Sequence, residues 1–310
     1  MRAILALLSA AVLFAAPPAA RKELLRVPVW VQAEAGKSET ELLSEGLSVE
    51  VSGVAATPTA LLGPQDDLVL LVVTDMAGDV TLAELAKRAL NERIAQLPSN
   101  ALAGLLRAQD GLRVLLDPTA DRAALKAAVD ALPVSGKAGL LETVQTAAAL
   151  GDAILAKAGV RLAVLFITDS DVNNYREDFT NPTINWTDSG DISRRFRDGL
   201  IREKISKLDA SLEAVETPVF ILHLAYRTDT LNQAYQTGLM TLAATTGGSS
   251  YFCRSQTEIS DAMGKAFEAI TSQYSLTVAL PKALPKVVDV TLGSPGHTLN
   301  WRGRFALKSD

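Results

Sequence analysis

Between residues 68 and 272 the chain alternates between two hydrophobic rhythms. The runs at 68–73, 162–168 and 219–225 are almost unbroken stretches of Leu, Val, Ile, Phe and Ala, which predicts strands covered on both faces, as at the centre of a parallel sheet. Between them the spacing turns helical. It predicts helices over 82–97, 121–132, 140–158, 193–215 and 258–272, and one that ends at 245 before a double glycine. Two further strands, 101–107 and 112–116, flank Asp110-Gly111, a pair suited to a hairpin turn. A short strand at 251–252 completes the series. Strands alternating with helices of this length predict an α/β fold with a doubly wound, mostly parallel sheet.

Both ends of the chain read differently. Residues 27–32 and 47–51 are short β-branched runs, the second strictly alternating, and are expected as strands of a half-buried antiparallel sheet. Residues 55–59 and 63–67, rich in Pro, Gly and Asp, read as connection. After the α/β region, 276–280, 287–292 and 301–307 return to short strands. The expected organisation is a leader over 1–20, an N-terminal β segment over 21–66, the α/β domain over 67–273 and a C-terminal β segment over 274–310. The simplest packing joins the two β segments as a small second domain; the alternative extends the main sheet with them.

The leader rests on Met1-Arg2 followed by an apolar run to Ala16 and small residues to Ala20, the layout of a secretory signal peptide. The run is short of the roughly 20 residues that a membrane-spanning helix needs, so a mature chain without a stable span, secreted or periplasmic, is expected. Cys253 is the only cysteine, so no disulfide can form within one chain; its apolar neighbours Tyr251 and Phe252 mark it as a core thiol. With 48% hydrophobic and 21% charged residues the chain can build an ordinary core. The net charge of -5, with Lys and Arg interspersed among acids, is not that of a nucleic-acid surface.

Candidate chemistry gathers where an open parallel sheet binds its ligands, beyond the carboxyl ends of the strands. Asp75 ends the first central strand and Asp169 the next of the unbroken runs. Acids at strand tips suit a hard cation such as Mg²⁺, and they equally suit capping of the next turn or helix; the residues alone leave both open. His223 lies inside an apolar strand and reads as a core residue, while His297 lies in a C-terminal loop. The sequence has no Gly-x-Ser-x-Gly elbow, His-Glu-x-x-His helix or Walker loop.

The order of several segments resembles the von Willebrand factor A domain, in particular the exported bacterial, acidobacterial-type proteins called VWFA-related. They are residues 70–79 for the first strand and its metal loop, 117–122 for a turn before a helix, 136–144 for the second metal loop and 167–173 for the third, with 242–252 and 270–280 for the late helix, double glycine and exit strand. The resemblance implies a Rossmann-like sheet and a metal-ion-dependent adhesion site built from Asp-x-Ser-x-Ser, a Thr in the second loop and an Asp in the third. This sequence keeps Asp75 and Asp169, has Ala77 and Asp79 where the hydroxyls are expected, and has Ala138 at the Thr position. Alanine offers no side-chain oxygen, so the site implied is degenerate, with Asp75, Asp79 and Asp169 as its candidate ligands, Asp171 or Asn173 adding oxygens through water, no cofactor required and Mg²⁺ as the cation it would take. Without a cation, one of the facing acids should have a raised pKa, or a water or Lys should intervene.

The same stretch resembles the first motif of haloacid-dehalogenase-like phosphatases. Ala77 replaces that motif's general acid/base, and no later metal motif follows in the right place, so such an enzyme would be inactive. The expectation is therefore a non-catalytic binding, adhesion or scaffolding protein. Its partner is expected to be another protein or a cell-envelope surface. Beside Asp169 the long polar loop 172–187 carries Asn173, Tyr175, Phe179 and Trp186, aromatics interleaved with amides as in a recognition surface.

Overall fold

The computed structural model describes residues 23–32, 45–175 and 190–307, without the side chains of 173 and 190–198. The expected leader at 1–20 lies outside the described residues, as do Phe179 and Trp186.

Six strands form the central sheet: β5 (Leu68–Asp75), β6 (Ala101–Arg107), β7 (Arg113–Thr119), β8 (Arg161–Thr168), β9 (Val219–His223) and β10 (Ser250–Phe252). Their order is β10-β9-β8-β5-β6-β7, parallel except for β7, which returns antiparallel beside β6. The tight return uses the expected turn pair, with positive φ at both Asp110 and Gly111. Every residue of β5 and of β8 is buried, the physical counterpart of their unbroken apolar runs. The two faces of β5 serve different layers. Leu68, Leu70 and Val72 join a cluster with helices α1 (Val80–Gln96), α2 (Arg122–Asp130) and α6 (Ile259–Thr271). Val69, Leu71 and Val73 join another with α3 (Leu140–Leu155), α4 (Gly190–Leu212) and α5 (Thr230–Thr246). The chain thus runs to one side of β5 and then, from β8, to the other, and the strand order reverses between β5 and β8.

The remaining strands are β1 (Leu24–Gln32), β2 (Ser48–Val51), β3 (Val54–Ala55), β4 (Thr57–Leu62), β11 (Tyr274–Ala279), β12 (Val287–Gly293), β13 (Thr298–Trp301) and β14 (Arg304–Ala306). They form two antiparallel sheets, β13-β1-β11-β4 and β14-β12-β2-β3, separate from the central one. Strands from the two ends of the chain pair directly, Val27 opposite Leu276 and Val49 opposite Leu292, and both sheets contribute to one apolar cluster.

Three expectations change. The runs at 27–32 and 47–51 belong to different sheets. Residues 55–59, read as connection, enter strand β4; Pro58 fits because β4 is an edge strand, where a missing N–H breaks no ladder, and the register shifts at its partner Val278. The run 301–307 is two strands in two sheets, because the chain turns at Arg302-Gly303 and the Arg302 guanidinium is drawn inward to donate to the carbonyls of Leu212, Glu213, Val215 and (from Nε) Arg304.

A second buried guanidinium ties the layers together. Arg161, at the start of β8, donates to the carbonyls of Pro64, Asp66, Thr271 and Gln273 at 2.8–2.9 Å. These carbonyls lie where the chain enters the central sheet and where it leaves, so one side chain fixes both junctions. The fork geometry of guanidinium suits such multiple carbonyl acceptance, whereas an ammonium would not reach them all.

Candidate functional site: two strand-end carboxylates

Asp75 and Asp169 do meet at the carboxyl end of the sheet, at the point where strand order reverses, as the Asp169 N–H approaches the Asp75 carbonyl at 3.4 Å. Their carboxylates, however, are taken up by the backbone. Asp75 is fully buried; its Oδ1 accepts from Gly139 N–H at 2.9 Å and its Oδ2 from Leu140 N–H and the Thr168 hydroxyl, each at 3.2 Å. Asp169 accepts three successive amides, Ala77 N–H at 2.8 Å on Oδ1 and Gly78 and Asp79 N–H at 3.0 and 2.8 Å on Oδ2. Each acid therefore sits at the N-terminal end of a helix, Asp75 at α3 and Asp169 at the turn into α1. Unpaired amides and the positive end of the helix dipole supply there the favourable potential that a cation would otherwise supply.

The local sequence explains why the chain folds this way. Gly139 lies so close to the β6–β7 turn that a Cβ would come within 2.0 Å of the Ala108 carbonyl, and only glycine lets α3 begin against Asp75. Asp110 holds the same loop from the other side, accepting from Lys137 N–H at 2.9 Å while its own N–H donates to the Lys137 carbonyl. A buried hydroxyl chain continues inward from Asp75 through Thr168 and Ser170 to Tyr235, with Thr168 Oγ1 and Ser170 Oγ 2.6 Å apart and Ser170 Oγ and Tyr235 Oη 3.1 Å apart. Burial is the largest influence on Asp75 and pushes its carboxyl up to about 6. The rise comes from desolvation and not from the facing carboxylate of Asp169, the cause that the sequence suggests. His223 is buried beside this chain, its Nε2 2.8 Å from the Ser170 carbonyl, and burial brings it down to about 4.

The third candidate ligand, Asp79, faces elsewhere. Its carboxylate is the N-cap of α1, accepting from Thr81 N–H at 2.8 Å and Leu82 N–H at 3.1 Å. At the positions where hydroxyl ligands are expected, Ala138 is buried in the apolar cluster and Ala77 packs against it. This donor set does not fit a Mg²⁺ centre. A hard cation needs about six oxygens; here Asp75 and Asp169 each already accept three hydrogen bonds, methyl groups stand at the Ala77 and Ala138 positions, and among the described residues no three acidic, His or Cys side chains gather to hold a metal.

Of the loop residues expected to meet a partner, Tyr175 is the one whose side chain is described, and it is a correction. It is fully buried, its hydroxyl accepting from Leu141 N–H at 3.4 Å and its ring 5.8 Å from that of Tyr235. The phenol thus ties a short 3-10 turn, Val172–Tyr175, to the start of α3. Asn173 lies in that turn, and its side chain falls outside the description. Thr168, Ser170 and Tyr235 escaped the reading of the sequence. Ser170 lies between Asp169 and Asp171 in the sequence, whereas Tyr235 comes from a helix 65 residues further on and carries no local signal.

Among solved structures the chain is similar to a von Willebrand factor type A protein from Catenulispora acidiphila, at 12% identity over 95% of this chain and 74% of that one, with a TM-score of 0.46. It is also similar to the PilB minor pilin from Streptococcus sanguinis, at 11% identity over 67% of this chain and 62% of the pilin, with a TM-score of 0.47. A third is proximal thread matrix protein 1 from the mussel byssus with a zinc-occupied MIDAS motif, at 13% identity over 73% of this chain and 50% of that one, with a TM-score of 0.43. No protein-family model matches the chain, and no curated protein matches it. Among the described residues no helix is long and apolar enough to cross a membrane.

Proposed function

We propose that this chain is an exported, non-catalytic binding module of the von Willebrand factor A-like kind, whose degenerate strand-end site works without a cation. The observation that carries the reading is that Asp75 and Asp169 accept five backbone amides between them, with Asp79 turned away to cap α1. An adhesion site of the metal-dependent type uses open coordination positions to take an acid from its partner, and acids engaged by amides are poorly placed to supply them. Recognition then falls to the surface beside them. In this reading Asn173, Phe179 and Trp186 of the 172–187 loop contact a protein or cell-envelope partner, and Tyr175 anchors the loop.

A phosphatase of the haloacid-dehalogenase type has less support. Its nucleophile would be Asp75, which has no exposed surface from which to attack a phosphate, and Ala77 cannot serve as the acid.

The reading is tested by affinity capture from the exporting cell's envelope, comparing the intact chain, the chain with EDTA, and a chain with residues 176–187 replaced by a Gly/Ser linker. The expected result is a partner retained in EDTA and lost from the linker variant. Loss of the partner in EDTA would restore the cation-dependent mechanism, and equal recovery from the linker variant would remove the loop.

A further inference from the structure

Arg107, the last residue of β6, stands directly opposite Arg113, the first residue of β7. Directly opposed residues of an antiparallel pair share one face of the sheet, with Cβ atoms roughly 5 Å apart, and two like charges so placed destabilise it. Alternation from Leu105, which belongs to the cluster with α1 and α2, puts both guanidiniums on that side, opposite to α3 and Tyr175. Arg113 is exposed and Arg107 half-buried. Among the described residues neither guanidinium makes a hydrogen bond or an ion pair, and Arg107 Nε is closed off from solvent without an acceptor. Arg93 and Arg122 also carry one such nitrogen each, but the rest of their forks reach acceptors, Gln96 and Ser260 for the first and Pro98 and Ala101 for the second. The Asp110 carboxylate, nearest in sequence, is taken by Lys137 N–H at 2.9 Å. The β6–β7 register thus forces two positive charges together, and among the described residues no acid pairs with either. They stand at the carboxyl end of β6, the end at which open α/β sheets take their ligands.

We propose that Arg107 and Arg113 bind a doubly charged tetrahedral oxyanion, phosphate or sulfate, free or esterified. A guanidinium fork donates paired N–H groups to two oxygens, and two forks on neighbouring strands take one tetrahedral ion between them, two oxygens to each. The two negative charges then offset both guanidiniums and turn a repulsive cross-strand pair into a bridged one. A carboxylate fits less well, since its one charge and two coplanar oxygens serve a single fork and leave the other charge uncompensated. Because no hydrogen bond holds the Arg107 side chain, a rotation brings its Nε–H to the ion. The inference is independent of the strand-end acids and of the 172–187 loop.

The test titrates the purified chain with inorganic phosphate, sulfate, O-phosphoserine and acetate at millimolar concentration and equal ionic strength, read by calorimetry and by the arginine Nε–H signals in NMR. Phosphate and sulfate are expected to shift the signals of Arg107 and Arg113 and to leave that of the buried Arg161 in place. Arg113→Gln should weaken their binding at least about tenfold. It removes one of two like charges at an exposed position and so should not lower the melting temperature, which separates lost binding from lost folding. Tighter binding of O-phosphoserine than of inorganic phosphate would assign an esterified ligand, and the reverse a free ion. Unmoved Arg107 and Arg113 signals, acetate binding as tightly as phosphate, or undiminished binding in Arg113→Gln would each overturn the proposal.

Discussion

Asp79 and Asp169, which the sequence offers as co-ligands of one cation, are joined by a hydrogen bond from the Asp79 backbone N–H to Asp169 Oδ2 at 2.8 Å, while the Asp79 carboxylate caps the helix that follows. One residue thus helps to fill the other's acceptor capacity, and both are removed from a coordination shell by the same turn.

The first expectation is that Mg²⁺ or Mn²⁺ at millimolar concentration leaves the melting temperature unchanged. A ligand at about 100 times its Kd would stabilise the folded state by roughly 2.7 kcal/mol, which differential scanning fluorimetry detects readily. A clear upward shift would show that oxygens outside the amide network hold the ion.

Asp169→Ala should destabilise the fold by about 1–3 kcal/mol in chemical denaturation, since three backbone donors lose a charged acceptor in a part-buried turn. A loss below about 1 kcal/mol would mean that water replaces the carboxylate without strain.

Asp75 and His223 should pull the pH profile in opposite directions. The folded-state pKa of Asp75, about 6 against an ordinary 3.8, favours the protonated acid, so its contribution is fully present below pH 3.8 and is lost as pH rises through about 6. His223, about 4 against 6.5, favours the neutral ring, so its contribution is present above pH 6.5 and is lost as pH falls through about 4. The parent profile between pH 4 and 6.5 should be nearly flat. Asp75→Asn should leave stability rising with pH over that window and His223→Gln should leave it falling, each by up to about 3 kcal/mol. Urea melts at half-unit pH steps decide this; parallel profiles for parent and both variants would refute the opposing titrations.

Arg161→Lys should cost about 3 kcal/mol or more despite keeping the charge, because an ammonium cannot reach the carbonyls on both junctions at once and leaves buried acceptors unpaired. An unchanged midpoint in guanidinium chloride would show that the junctions are held by the strand pairing alone.

Gly139→Ala should be at least as damaging, since the new methyl would meet the Ala108 carbonyl at 2.0 Å and push the α3 amides off Asp75. Near-native stability together with an unshifted Asp75 titration by carbonyl-resolved NMR would contradict that packing.

The periodicity of the chain determined the elements of the central sheet, because a strand buried on both faces must be apolar at every position and a helix packed on a sheet must be apolar every third or fourth. It also determined that Asp75 and Asp169 stand at strand tips, since each ends an unbroken run. What periodicity could not carry is anything set by a partner distant in sequence. Strand β4 went unread because Pro58 is acceptable only at an edge, and being an edge is a property of the assembled sheet. Tyr175 looked like a recognition aromatic because its loop is polar, yet its hydroxyl meets the start of α3, 34 residues earlier in the chain. The role of the two acids was decided in the same way. A carboxylate at a strand tip can hold a cation or accept amides, and the choice falls to whichever donors the fold brings within about 3 Å. Here those donors come from Gly139, 64 residues beyond Asp75, and from residues 77–79, about 90 before Asp169, so only the tertiary structure could place them.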